Sequence, residues 1–91
     1  MGAVLSEAQL LQAIAAYVLR NGFTLNIEIK PTPGEEHATG VVVARDAARL
    51  WAGTAPPPLL SSFEPESLLG ARDSAPDLPR ALLLDTAYKL K

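Results

Sequence analysis

With 91 residues, 48% of them apolar and 20% charged, and a formal net charge of −2, the chain can hold one small core and lacks the charge density of a disordered segment. Eight Lys and Arg stand against ten Asp and Glu, with no basic stripe or interleaved aromatics, which argues against nucleic acid as a partner. Cysteine is absent, which excludes disulfides and thiolate metal sites; no apolar run approaches the ~20 residues that cross a bilayer, and no basic, apolar, small-residue leader pattern opens the chain, so the expectation is no membrane and a cytoplasmic location.

Ser6 can cap a helix, with Gln9 at the reciprocal position of a capping box. Leu10, Leu11, Ile14, Ala15, Val18 and Leu19 recur at helical spacing, and Asn21-Gly22 supplies a stop, so a helix is predicted over Glu7–Arg20. Residues 23–30 alternate strictly. Phe23, Leu25, Ile27 and Ile29 share one face and Thr24, Asn26, Glu28 and Lys30 the other, as in a strand with one polar side.

Pro31-Thr32-Pro33-Gly34 ends that strand. Over residues 36–51 the positions Val41, Ala44, Ala48 and Trp51 line one side of a helix whose other side holds Arg45, Asp46 and Arg49. Glu35 and Glu36 precede it and face its positive end. After a proline-rich connection, residues 59–63 (Leu-Leu-Ser-Ser-Phe) read as a short buried strand. Pro65 suits the first position of a helix running to Ser74, with Ser62 or Glu64 near its free amides. Residues 81–84 (Ala-Leu-Leu-Leu) read as a third buried strand closed by Asp85.

Helices alternating with short apolar strands argue for an α/β fold of parallel, right-handed βαβ units. Three strands make an arc of a larger sheet, not a closed barrel, which takes roughly 250 residues. The chain is then a single incomplete domain, with a core over residues 7–85 and a tail over 86–91. An arc has two unpaired edges, so a stable form is expected to be a homo-oligomer, to swap elements, or to be complemented by missing strands. A small α/β domain with antiparallel pairing of residues 23–30 is the other topology these short strands permit.

In a parallel β/α sheet, polar residues at the carboxyl ends of strands point into the site built by the following loops. Glu28 and Lys30 occupy such a place, two residues apart on one face, so a carboxylate and an ammonium converge where a divalent cation and a phosphate could sit together. Charged pairs at this spacing also occur on plain solvated strands.

The wider string carries more. Asn-Ile-Glu-Ile-Lys-Pro at residues 26–31 resembles a motif of the glycerophosphodiester phosphodiesterases. Residues 59–68 (Leu-Leu-Ser-Ser-Phe-Glu-Pro-Glu-Ser-Leu) and 75–84 (Ala-Pro-Asp-Leu-Pro-Arg-Ala-Leu-Leu-Leu) look like the next two strand regions of that family, in order, and Trp51-Ala52-Gly53 with its proline-rich loop is similar to the short bacterial cytosolic members. The resemblance covers roughly residues 13–85; residues 1–12 and 86–91 do not resemble the family's continuation.

The resemblance implies a TIM-barrel parent and metal-assisted hydrolysis of glycerophosphodiesters to sn-glycerol 3-phosphate and an alcohol. It implies that Glu28 helps hold a divalent cation, Mg²⁺ or Ca²⁺, that Lys30 binds the substrate phosphate, and that Ser61, Ser62 and Phe63 belong to the strand end lining the pocket. The family's His-Arg-Gly motif, its Glu-x-Asp pair and its second histidine motif are not in this sequence. The isolated chain is therefore expected to be inactive, with weak or no metal binding.

The remaining candidates have plainer readings. His37, the one histidine, falls outside both family histidine motifs and reads as a solvated loop or first-turn residue. Ser61 and Ser62 have neither a histidine base nor elbow glycines to make a nucleophile. Trp51, among apolar neighbours at a helix end, reads as packing.

Overall fold

The computed structural model describes residues 7–54 and 56–85. Six elements follow one another: α1 (Glu7–Arg20), β1 (Asn26–Glu28), α2 (Glu36–Leu50), β2 (Leu59–Ser62), α3 (Pro65–Ser74) and β3 (Arg80–Leu82). Ser6 lies outside the described residues, as do those after 85, so neither the expected cap nor the tail is characterised.

The first helix stops as its sequence predicts. Gly22 takes φ of 69°, the Phe23 amide donates to the Val18 carbonyl (3.0 Å) and the Gly22 amide to that of Leu19 (3.3 Å), the paired bonds of a Schellman closure. This closure shortens the strand that follows. The Phe23 amide is committed to the helix, and its half-exposed ring lies instead against Tyr17, with centroids 6.0 Å apart. The expected strand over 23–30 is thus β1, Asn26–Glu28, although backbone bonds extend the pairing outward, from Leu59 to the Leu25 carbonyl and from Ile29 to that of Ser61.

The three strands form one parallel sheet in the order β1-β2-β3, which overturns the antiparallel alternative. Asn26, Ile27 and Glu28 pair with Leu59, Leu60 and Ser61, and Leu60, Ser61 and Ser62 with Arg80, Ala81 and Leu82. This register moves the third strand one residue earlier than the apolar run suggests, because Arg80 pairs with Leu60; Leu83 still donates to the Ser62 carbonyl.

Helices cover one face of the sheet. Leu60 and Ile29 join Ala44, Ala47, Trp51, Ala71, Ala75 and Leu78 in the core, with Ala15 and Val18 of α1. By strand alternation the opposite face carries Asn26, Glu28, Ser61 and Ala81.

In α2 the buried line is Gly40, Ala44, Ala47 and the capping residue Trp51, whereas Val41 and Ala48 are only half-buried. The shift comes from α3, which packs so closely that small residues face each other: a methyl on Gly40 would meet the Ser67 carbonyl oxygen, and one on Gly70 the His37 carbonyl oxygen. The architecture is therefore an open, parallel α/β arc. Among the described residues no helix is long and apolar enough to cross a membrane.

Candidate functional site

A cavity of about 450 Å³ opens at the carboxyl ends of β1 and β2. Glu28, Ile29, Lys30 and Pro31 line it from β1 and the turn after it, Pro33 and Glu36 from the approach to α2, and Phe63 and Glu64 from the exit of β2. In parallel α/β sheets this is where ligands bind, because the strands end together and the loops there are free to vary.

Glu28 and Lys30 leave the same side of the chain, as the two-residue period requires. Lys30 Nζ lies 3.8 Å from Glu28 Oε2, and the lysine side chain is 80% exposed. So exposed a pair contributes little to stability. Its importance is positional: the ammonium is held at the cavity mouth by a carboxylate on the same wall.

Below these charges a set of hydrogen bonds fixes the strand ends. Ser61 Oγ donates to Asn26 Oδ1 (2.7 Å), and Ser62 Oγ donates to the Ile29 carbonyl (2.8 Å) while accepting the Glu64 amide (3.1 Å). Ser62 thereby joins the end of β1 to the start of α3. On the α2 side, both Glu36 carboxylate oxygens accept the Gly34 amide at 3.1 Å, closing the turn in which Gly34 has φ of 91°. Ser67 Oγ donates to the Glu36 carbonyl (2.8 Å) and ties α3 to the same corner.

The residues expected at the pocket divide. Glu28, Lys30 and Phe63 line the cavity, whereas Ser61 and Ser62 are buried with hydroxyls spent on protein partners. Their place is beneath the pocket, holding it. Glu36 and Glu64 line the cavity but were expected only near helix starts; Glu64 makes no side-chain cap, and its own amide donates to Ser62 Oγ. Parallel register would have pointed to Glu64, since chain leaving β2 passes beside the end of β1.

His37 is not in a loop but in the first turn of α2, with Nε2 3.0 Å from Asp73 Oδ2 on α3. That hydrogen bond, helped by the Arg72 guanidinium 3.5 Å from Asp73, holds the Asp73 carboxyl below its usual range. Neither residue lines the cavity. Trp51 is buried in the core.

Comparison with protein-family models and with curated proteins gives no match to this chain.

Proposed function

We propose that this chain is an internal β/α segment of a glycerophosphodiester phosphodiesterase, a TIM-barrel enzyme, and that it binds the phosphate end of such substrates without turning them over. The observation that carries the reading is the convergence of Glu28 and Lys30, 3.8 Å apart, on a cavity at the carboxyl ends of two parallel strands, within a string similar to that family's motif. Lys30 presents an ammonium to a phosphate oxygen, and Phe63 supplies an apolar wall for the carbon of the ester. The sequence lacks the His-Arg-Gly and second histidine motifs that carry the acid–base work in that family, which supports binding without turnover.

The family's divalent cation, Mg²⁺ or Ca²⁺, takes six or more oxygen ligands. The described residues do not by themselves fit it. Glu28 shares its carboxylate with Lys30, Glu36 is bonded to Gly34, and among the described residues no group of three or more candidate ligand side chains gathers. Binding by this chain is thus assigned to the anion and Lys30, with the cation left to carboxylates that the sequence lacks.

Titration of the labelled chain with sn-glycerol 3-phosphate, followed by amide shifts, tests the reading. Saturable changes at residues 28–31 and 63–64, lost in Lys30→Ala, are expected, with no glycerol 3-phosphate released from glycerophosphocholine. Turnover abolished by Glu28→Ala, or no response at these amides, would refute it. A second reading, an α/β interaction module, is favoured by the two edges of the sheet, each paired on one side only among the described residues.

A further inference from the structure

The two edges of the sheet differ in chemistry. On β1, Leu25 accepts from Leu59 and Ile29 donates to Ser61, so Asn26, Glu28 and Lys30 turn their backbone groups outward. That edge is polar and charged, the usual protection against strand addition. On β3, Pro79 accepts from Leu60 and Leu83 donates to Ser62, so Arg80, Leu82 and Leu84 turn theirs outward. Leu82 and Leu84 are 50% and 63% exposed, and the Arg80 guanidinium is drawn back onto the Pro76 and Leu78 carbonyls at 3.1 and 2.9 Å. The β3 edge is thus apolar at Leu82 and Leu84, with the Arg80 charge turned back toward the preceding loop.

We propose that β3 pairs antiparallel with β3 of a second copy of this chain, Leu82 opposite Leu84 of the partner copy, about a two-fold axis through the Leu83 pair. Backbone direction and charge select this arrangement. Only residues with outward groups can exchange both bonds with an antiparallel neighbour, which restricts the choice to Arg80, Leu82 and Leu84. Setting Leu82 opposite its own copy would place Leu84 against Arg80, whereas the proposed register sets leucine against leucine twice and satisfies four outward backbone groups on each chain. Head-to-tail pairing of β3 with β1 would set these leucines against Asn26, Glu28 and Lys30 and would not close.

So short a seam buries less than the roughly 1,200 Å² of a stable interface. The dimer is therefore reversible, with Kd on the order of 0.1–1 mM. The inference does not rest on the phosphate reading, because Lys30 and the cavity belong to the other edge.

Sedimentation velocity of the full chain across concentrations spanning that Kd is expected to show monomer passing to dimer. Leu82→Lys and Leu84→Lys should each leave only monomer, and Thr24→Lys, beside β1, should leave the dimer intact. Because the protein has no cysteine, Leu83→Cys gives a second readout that does not depend on a charge being tolerated. In the proposed register the two introduced thiols lie opposite each other in a non-hydrogen-bonded pair, about 4.5 Å between Cα atoms, and should oxidise to a covalent dimer. Ala81→Cys should not. A wild-type chain that stays monomeric throughout, polymers that keep growing, a dimer lost in Thr24→Lys but kept in Leu84→Lys, or cross-linking through Ala81→Cys in place of Leu83→Cys would each overturn the proposal.

Discussion

The carbonyl oxygen of Ser67 occupies the space that a methyl group on Gly40 would need, so α2 and α3 meet backbone to backbone. Gly70 stands in the same relation to the His37 carbonyl. Neither obstruction is the end of a flexible side chain, so relief requires the helices to separate. Gly40→Ala gains about 1 kcal/mol of intrinsic helix propensity and loses about 1–3 kcal/mol or more to overpacking. A net loss is expected for Gly40→Ala and for Gly70→Ala, seen as a lower urea midpoint at unchanged slope. A raised midpoint in either variant would show that the helices are not in contact there.

Ser62 makes two bonds that hold the cavity together, to the Ile29 carbonyl and from the Glu64 amide, and is fully buried. Ser62→Ala leaves both groups without that partner, at a cost of about 1–3 kcal/mol. Because both belong to residues lining the cavity, the change should also broaden or shift their amide resonances. Ser61→Ala removes only a bond to the exposed Asn26 amide and should cost less. Equal losses from the two variants would contradict this account.

How far the sequence discloses this arrangement depends on the range of the forces involved. Helix bounds and the Gly22 stop are local, set by periodicity and one backbone conformation, and the structure follows them closely. The shared side of Glu28 and Lys30 follows from the two-residue period of extended chain. Phe23 breaks its pattern because the helix closure takes its amide, a competition that alternation alone does not reveal. The buried line of α2 turns from Val41 to Gly40 because of a helix that begins 25 residues later, and the His37 to Asp73 bond joins residues 36 apart. Likewise, the inward roles of Ser61 and Ser62 appear only once strand register places Asn26 and Ile29 beside them.

The bond between His37 and Asp73 has an acid limb that can be measured. The His37 hydrogen bond lowers the Asp73 carboxyl in the folded chain from its ordinary 3.8; desolvation, the next largest effect, opposes it, and the Arg72 charge adds to the lowering. A folded value below the unfolded one means that the stabilisation is fully present above the unfolded value and is lost as pH falls through the folded one. Asp73→Asn should therefore flatten the fall of the unfolding temperature below about pH 4, with a constant offset from wild type above it. Parallel curves for the two proteins across the acid range would show that the bond does not persist in solution.

Glu28 both positions Lys30 and competes for its charge. At 3.8 Å, its carboxylate offsets part of the ammonium's attraction for an anion at the cavity mouth. Glu28→Gln keeps the shape and removes the competing charge. Taking an exposed pair as worth up to about 1 kcal/mol, affinity for sn-glycerol 3-phosphate should rise up to about fivefold in metal-free buffer. The gain should shrink as salt screens the lysine. Lys30→Arg should retain most of the affinity, whereas Lys30→Ala should lose it. If Glu28→Gln instead weakens binding in the absence of metal, Glu28 aids the anion through something other than its charge, and the pair would have to be understood as a scaffold for the loop at Pro31.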